Sequence, residues 1–375
     1  MILNGRIERQ AGGVYLRRVS AGLNELHDLT IDTERVAQFH DDEGAVCYVQ
    51  LPEELHLPQK GDILRVDLGG GYVHLVYRKA SPHNSLFITE RCNSRCLMCS
   101  QPPRAVEDQY LAEEILKFIP LMSPETVEVG ITGGEPTLAG DALIEILRSL
   151  KRHLPATAVH LLSNGRLCRD PQWARAFASV RHPDFMIGIP LYADVPWLHD
   201  EIVQAHGAFE ETLNGLYQLG SQRLRIEIRI VVHQRSLSRL RQTAALIAKH
   251  LPFVEQVAIM GLELMGYARS NLSSLWVEPS ECGEVLGDAV LELQARGIKP
   301  LLFNYPLCLL PEQLHRYAVQ SISDWKNVYL PECEPCVLKK VCSGFFASGT
   351  LRKPKGIRPF TALPYPASVP AGRFP

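Results

Sequence analysis

The sequence lacks an excess of either charge, a membrane-length apolar run and a secretory-type start, and each absence narrows what the chain can do. Its 39 Lys and Arg residues stand against 41 Asp and Glu, a formal net charge of −2. With no long basic stripe, nothing predicts an electrostatic grip on nucleic acid or on a membrane surface. No uninterrupted apolar stretch reaches the roughly 20 residues needed to span a bilayer. The opening Met1-Ile2-Leu3-Asn4-Gly5-Arg6-Ile7-Glu8-Arg9 meets charge too early for a secretory h-region. Residues 1–84 have no helix-period apolar run of useful length, so this region reads as a small β-rich domain. Gly69-Gly70-Gly71 lacks both the spacing and the following helix of a phosphate loop. It reads as the turn of a hairpin between the alternating runs 61–68 and 72–78.

What the chain does have is cysteine, ten in 375 residues, six of them in two tight groups. In a chain this long that usage points to metal ligation in a reducing compartment, the cytoplasm, rather than to a disulfide framework. Cys92-Asn93-Ser94-Arg95-Cys96-Leu97-Met98-Cys99 gives the spacing C-x3-C-x2-C, letting three thiolates converge from one loop. No fourth cysteine or histidine stands nearby to close a tetrahedral zinc site. A cubane iron-sulfur cluster normally takes four ligands, so three leave one iron open to a small molecule.

From Ser85 the texture changes to strands alternating with amphipathic helices, the pattern of a parallel sheet with crossover helices. Strands are expected at 86–89, 127–131, 159–162, 185–191, 224–232 and 256–260. Six βα units are too few for a closed eight-fold barrel. They suit an α/β partial (β/α)6 TIM-type barrel, with functional residues in loops at the C-terminal strand ends. The first cysteine triad follows strand one directly. Thr132-Gly133-Gly134-Glu135-Pro136 ends the second strand, with glycines that allow close backbone approach and a carboxylate able to receive an ammonium. Ser163-Asn164-Gly165 ends the third, offering a hydroxyl and an amide suited to ribose hydroxyls. All three segments are expected on one rim. After Gly261 the alternation fades into a helix near 280–296, a short strand at 299–303, and then Cys308, Cys333, Cys336 and Cys342. The boundaries read as a β-rich domain at 1–84, a barrel at 85–265, a cluster-binding extension at 266–346 and a Pro-rich tail at 347–375, expected to be disordered or an extended arm.

With Cys92, Cys96, Cys99 and the Gly133-Gly134-Glu135-Pro136 stretch behind them, residues 85–345 resemble the radical S-adenosylmethionine (SAM) superfamily. The resemblance implies a [4Fe-4S] cluster on the three cysteines whose open iron is chelated by SAM. It also implies methionine-end contacts from Thr132 to Pro136, ribose contacts near Ser163 and Asn164, and a 5′-deoxyadenosyl radical that abstracts hydrogen from substrate. Met98 stands where relatives often carry an aromatic residue, as a soft side chain able to cover an adenine. Two contacts common in peptide-modifying relatives are missing: Ile189-Pro190-Leu191-Tyr192 has no serine, and no arginine follows His199-Asp200 closely.

The second group, Cys333, Cys336 and Cys342 with Cys308 upstream, resembles the SPASM or shorter twitch extensions that hold a second, auxiliary [4Fe-4S] cluster. On coordination grounds alone four thiolates would suit a zinc ribbon equally well. The finer resemblance is to the HxsC family of His-Xaa-Ser radical SAM maturases, on the stretches 86–93, 96–103, 189–192 and 206–209. It implies a ribosomally made precursor peptide, a paired radical SAM maturase and an electron donor such as flavodoxin or ferredoxin, with no nucleic acid or membrane partner. The competing readings are a radical SAM enzyme acting on a small molecule or RNA and, outside enzymes, a zinc-stabilised binding module. Cys47, Cys168 and Cys282 read as ordinary small residues, His199 and Asp200 as helix braces, and Tyr192 as a barrel-wall aromatic.

Overall fold

The computed structural model describes residues 3–4, 6–7, 14–19, 28–40, 42, 46–51, 53, 56–320 and 327–362. The end of the tail, 363–375, lies outside the described residues. So does much of the connecting chain of the first domain.

The N-terminal region is a β-sheet of β1 (Leu3–Asn4), β2 (Arg6–Ile7), β3 (Val14–Val19), β4 (Asp28–Ile31), β5 (Val36–His40), β6 (Val46–Gln50), β7 (Ile63–Asp67) and β8 (Tyr72–Tyr77). The hairpin read around the triple glycine is β7–β8. β1 pairs with β8 at one sheet edge and β2 with β6 at the other, with one residue between β1 and β2, so a single short segment closes the sheet on itself. Leu29, Phe39, Val49 and Val66 fill its centre. Leu16, Ile63 and Tyr77 of this sheet pack instead into one core with Ala112, Ile115 and Phe118 of α1 (Gln109–Phe118). Arg65 adds a two-pronged ion pair to Glu114 at 2.8 and 3.0 Å, and the Tyr77 hydroxyl meets Thr126 Oγ1 at 2.8 Å.

The second sheet is parallel throughout: β9 (His83–Phe87), β10 (Glu128–Thr132), β11 (Ala158–Leu162), β12 (Phe185–Pro190), β13 (Arg225–Val232), β14 (Gln256–Gly261), β15 (Lys299–Phe303) and β16 (Ala318–Val319), paired in that order. The six expected strands are β9 to β14. The sheet continues past them, because α10 (Gly283–Gln294) crosses over and packs on α7 (Leu240–His250), returning the chain to pair β15 beside β14. No pairing joins β16 back to β9 among the described residues, so the wall stays open, as a partial barrel requires.

Alternation on β13 shows how the wall is built. Ile226, Ile228, Ile230 and Val232 face the helices α2 (Asp141–His153), α3 (Pro171–Val180), α5 (Ala208–Ser221) and α7 in one core. Glu227, Arg229 and Val231 lie on the other face, where Arg229 Nη1 donates to Glu227 Oε1 at 2.7 Å. Short helices α4 (Pro196–Val203), α6 (Gln234–Leu237), α8 (Gly266–Ser270) and α9 (Leu272–Leu275) sit at the C-terminal rim. No helix among the described residues is long and apolar enough to cross a membrane.

Candidate active site at the C-terminal rim

The cysteine loop leaves β9 and is fixed by backbone contacts on every side. Gly134 N donates to Thr89 O and Glu135 N to Arg91 O, both at 2.7 Å, so the end of β10 lies directly on the residues that lead into Cys92. The approach needs the glycines. A Cβ on Gly133, whose φ is +154°, would come within 2.5 Å of Thr89 O, and one on Gly134 within 2.2 Å of Arg91 O. Arg95 N and Leu97 N bond to Val203 O and Ile202 O of α4, and Tyr267 N of α8 bonds to Cys99 O. Buried Asp108 accepts from Thr89 Oγ1, Glu90 N and Arg91 Nε, anchoring the loop from below.

Gly134→Ala is therefore expected to lower both the melting temperature and the iron content after anaerobic reconstitution, because the new methyl must displace the Arg91 carbonyl beside Cys92. Gly287→Ala in α10, where the Cβ meets nothing within 4 Å, serves as the control and should stabilise by about 0.5–1 kcal/mol.

Cys92 and Cys96 each sense the neighbouring thiols. Burial pushes Cys92 up to about 11, with the Ser94 backbone and the Arg166 guanidinium pulling the other way. Burial, then the Cys99 and Cys92 thiols, push Cys96 up to about 12. Cys99 is raised by burial, and its Sγ donates to Gln101 O at 3.0 Å. Among the described residues no three His, Cys, Asp or Glu side chains stand as the ligands of a single metal ion. Three neighbouring thiols beside a glycine cradle fit a cluster that takes one thiolate per iron and leaves a fourth iron for another ligand.

Glu135 is fully buried, and its role differs from that of a free carboxylate awaiting an ammonium. Oε1 accepts from Thr137 N, Thr137 Oγ1 and Ser163 Oγ at 3.0, 2.6 and 2.7 Å, while Oε2 accepts from Asn164 N at 2.6 Å. Glu135 thus ties the end of β10 to the end of β11. Pro136, also buried, opens the short helical turn that follows. The structure brings Thr132 to Pro136, Ser163, Asn164 and the triad to one rim, as the strand ends implied. Asn164 Nδ2 donates to Asn93 Oδ1 at 2.6 Å and lies 4.0 Å from Cys92 Sγ. Met98 packs into an apolar cluster with Tyr192, Leu198 and Ile202, so its side chain is part of the loop's footing.

Arg166 was not singled out from the sequence, although it follows Ser163-Asn164-Gly165. It donates to Asn93 O, to Ser94 Oγ at 3.1 Å and to Glu211 Oε2 at 2.7 Å, placing a cation beside the cysteine loop. His199 and Asp200 act as braces. His199 Nδ1 accepts from Tyr192 N at 3.2 Å, and Asp200 caps α5 through Gly207 N and Phe209 N. Burial pulls His199 and His233 down to about 4. Both are neutral when folded and charge when unfolded, so their stabilisation is complete above about pH 6.5 and erodes as the pH falls toward about 4. The expected loss is about 2 kcal/mol per residue by about pH 5, read from urea midpoints. His233→Asn, which keeps an N-cap acceptor, should flatten that slope.

The second cysteine group also converges. Cys308, Cys333, Cys336 and Cys342 line one cavity, although 25 residues separate the first two. Leu307 N and Gly344 N both donate to Cys342 Sγ at 3.4 Å. Burial raises Cys308, the Arg358 backbone opposes it, and the other three thiols raise it further. Residues 352–362, which carry no helix or strand, supply a cover, with Ile357, Pro359 and Phe360 lining the same cavity.

Residues 86–247 match the family model described as Radical SAM superfamily. No curated protein gives a significant match. Among solved structures the chain is similar to Streptococcus suis SuiB bound to S-adenosylmethionine, at 12% identity and TM-score 0.48, over 60% of this chain and 50% of that one. It is similar also to anSMEcpe with bound AdoMet and the Cp18Cys peptide, at 16% identity and TM-score 0.35, over 48% and 50%. A third is TYW1 with a lysine-pyruvate adduct, at 16% identity and TM-score 0.39, over 56% and 71%. The chain thus spans about half the length of SuiB. The stretch that matches the family model, 86 to 247, carries the cysteine loop and the ends of β10 and β11.

Proposed function

We propose that this protein is a cytoplasmic radical SAM enzyme that modifies a ribosomally made peptide of the His-Xaa-Ser type, with a second [4Fe-4S] cluster on Cys308, Cys333, Cys336 and Cys342. The observation that carries it is the backbone clamp of Gly134 and Glu135 onto the loop of Cys92, Cys96 and Cys99. Bound there, a cluster supplies the electron that splits SAM into methionine and a 5′-deoxyadenosyl radical.

The chain's own residues prepare the ground. Cys92, Cys96 and Cys99 would hold the cluster by three thiolates, leaving one iron for another ligand. Gly133 and Gly134 let the strand end approach closely enough for backbone carbonyls to receive the methionine ammonium. Asn164, held by Asn93, presents its amide beside Cys92 toward the ribose. Met98, Tyr192 and Ile202 keep water from beneath the loop. The open side of the sheet leaves room for an extended substrate, and the four-thiol extension supports the peptide reading.

Co-expression with a His-Xaa-Ser precursor peptide and a paired maturase, read by mass spectrometry, tests the substrate. A mass change confined to one residue is expected. An unmodified peptide alongside active SAM cleavage would move the reading to a small molecule or RNA.

A further inference from the structure

A cavity of about 290 Å³ lies between the ends of β13 to β15 and the chain from Val328 to Pro354. Most of its wall is apolar, with Leu262, Leu264, Val328, Phe345 and Phe346 among the lining residues. It adjoins both cysteine groups. Leu262 also packs in the cluster that carries Met98 and Cys96, and Pro306 and Phe345 line the four-cysteine cavity as well.

The charge on the lining has one sign. Among the described residues it carries two cations, Arg352 and Lys353, and no Asp or Glu. Lys353 is engaged by Glu332, and Glu278, between two lining residues, accepts from Lys355 N at 2.6 Å. The Arg352 guanidinium makes no ion pair or hydrogen bond among the described residues, and lies 4.9 Å from the centre of the Trp276 ring. Its N–H groups therefore stand unpaired beside an apolar space. Tyr305 adds a second donor. It is 2% exposed, and its hydroxyl has no hydrogen-bond partner among the described residues yet is not sealed off from a water-sized molecule, so it opens on the cavity. Burial, with Cys282 close by, raises its pKa well above the usual phenol range, which keeps the O–H a donor. Buried donors are almost always paired, so this one calls for an acceptor that enters.

We propose that this cavity takes the C-terminal end of a peptide whose last residue is apolar: the side chain against Leu262, Phe345 and Phe346, the α-carboxylate on Arg352, and an acceptor oxygen on the Tyr305 hydroxyl. A neutral apolar group would fill the volume but leave Arg352 without a counter-charge. A small inorganic anion would gain nothing from the wall. At about 290 Å³ the space is small for a ligand pocket, so it suits a residue-sized group rather than a long acyl chain. An end seated here fixes how far from the terminus a residue reaches the rim above the cysteine loop, so position along the peptide is counted from its end. The choice of a peptide and that counting rest on the enzyme reading above, but occupancy by an amphipathic acid does not.

The test uses the full chain after anaerobic reconstitution and saturation-transfer NMR with N-acetyl-leucine, its amide, N-acetylglycine and the tripeptide acid acetyl-glycyl-glycyl-leucine. N-acetyl-leucine is expected to bind roughly tenfold more tightly than its amide, the value of a charge-assisted hydrogen bond. N-acetylglycine should show no saturation, and the tripeptide should bind at least as tightly as N-acetyl-leucine. Arg352 is exposed, so Arg352→Gln should leave the fold intact and erase the preference for acid over amide. Tyr305→Phe keeps the buried ring and removes the donor, and should weaken the acid roughly three- to tenfold. Equal binding of acid and amide, a preference that survives Arg352→Gln, unchanged acid binding in Tyr305→Phe, saturation of N-acetylglycine, or refusal of the tripeptide would each overturn the assignment. SAM cleavage measured in parallel separates the two readings: cleavage without acid binding sinks the anchor, and acid binding without cleavage sinks the enzyme reading.

Discussion

Cys96→Ala is expected to reduce 5′-deoxyadenosine formation from SAM and reductant to background, and to cut bound iron from roughly eight to roughly four per chain. Cys96 is the informative position. Its thiol is pushed to about 12 by burial and by the two thiols flanking it, so it sits at the centre of the donor set. The backbone on either side is pinned separately, Arg95 N to Val203 O and Leu97 N to Ile202 O, so the loop should keep its path when the sulfur is removed. Retained far-ultraviolet dichroism with lost iron would separate ligand loss from unfolding. Formation of 5′-deoxyadenosine at wild-type rates in the variant would remove the triad from the chemistry, and colourless wild-type protein containing zinc would return the chain to the binding-module reading.

Glu135→Ala should be among the most destabilising single changes at the rim. The carboxylate is fully buried and receives four hydrogen bonds, from Thr137 N, Thr137 Oγ1, Ser163 Oγ and Asn164 N. Removing it strands those donors in a site with no room for bulk water and leaves a cavity between two strand ends. Each stranded donor costs about 1–3 kcal/mol, and partial relaxation makes a total of about 3–5 kcal/mol the reasonable expectation. Glu135→Gln should lose less, because its carbonyl oxygen can still accept from Ser163 or Asn164 while its amide faces a donor. Urea unfolding of both variants gives the ranking. A Glu135→Ala protein as stable as wild type would mean that the ends of β10 and β11 are held together by the sheet alone.

These residues also show what the sequence makes legible. The six alternating βα units and the C-x3-C-x2-C loop are local patterns, and the strands they imply are β9 to β14. The destination of Glu135 was not local. Its motif suggested a carboxylate turned toward a ligand, whereas the structure spends both oxygens on partners up to 29 residues away. Arg166 reaches Asn93 across 73 positions, and nothing in its immediate neighbours marks that contact. The placement of β15 and β16 depends on α10 docking against α7, a packing event between faces that the sequence shows only as two amphipathic helices. Closure of the N-terminal sheet by residues 3–7 is hidden for the same reason: pairing partners 50 and 73 lie far along the chain.

The arm from 352 to 362 has a consequence for order of assembly. It is synthesised after all four cysteines of the extension, so those thiols exist as an open basket before anything covers them. Its backbone attachments to the body include Val337 N to Phe360 O at 2.8 Å and Lys355 N to Glu278 Oε1 at 2.6 Å. The Lys353 ammonium paired with Glu332, the Arg352 guanidinium over the Trp276 ring and the Phe360 ring against His315 add to these two bonds, so the strap is held along its length. The four thiols of the extension are thus covered by the last stretch of described chain, whereas the loop of Cys92, Cys96 and Cys99 is clamped by β10, α4 and α8.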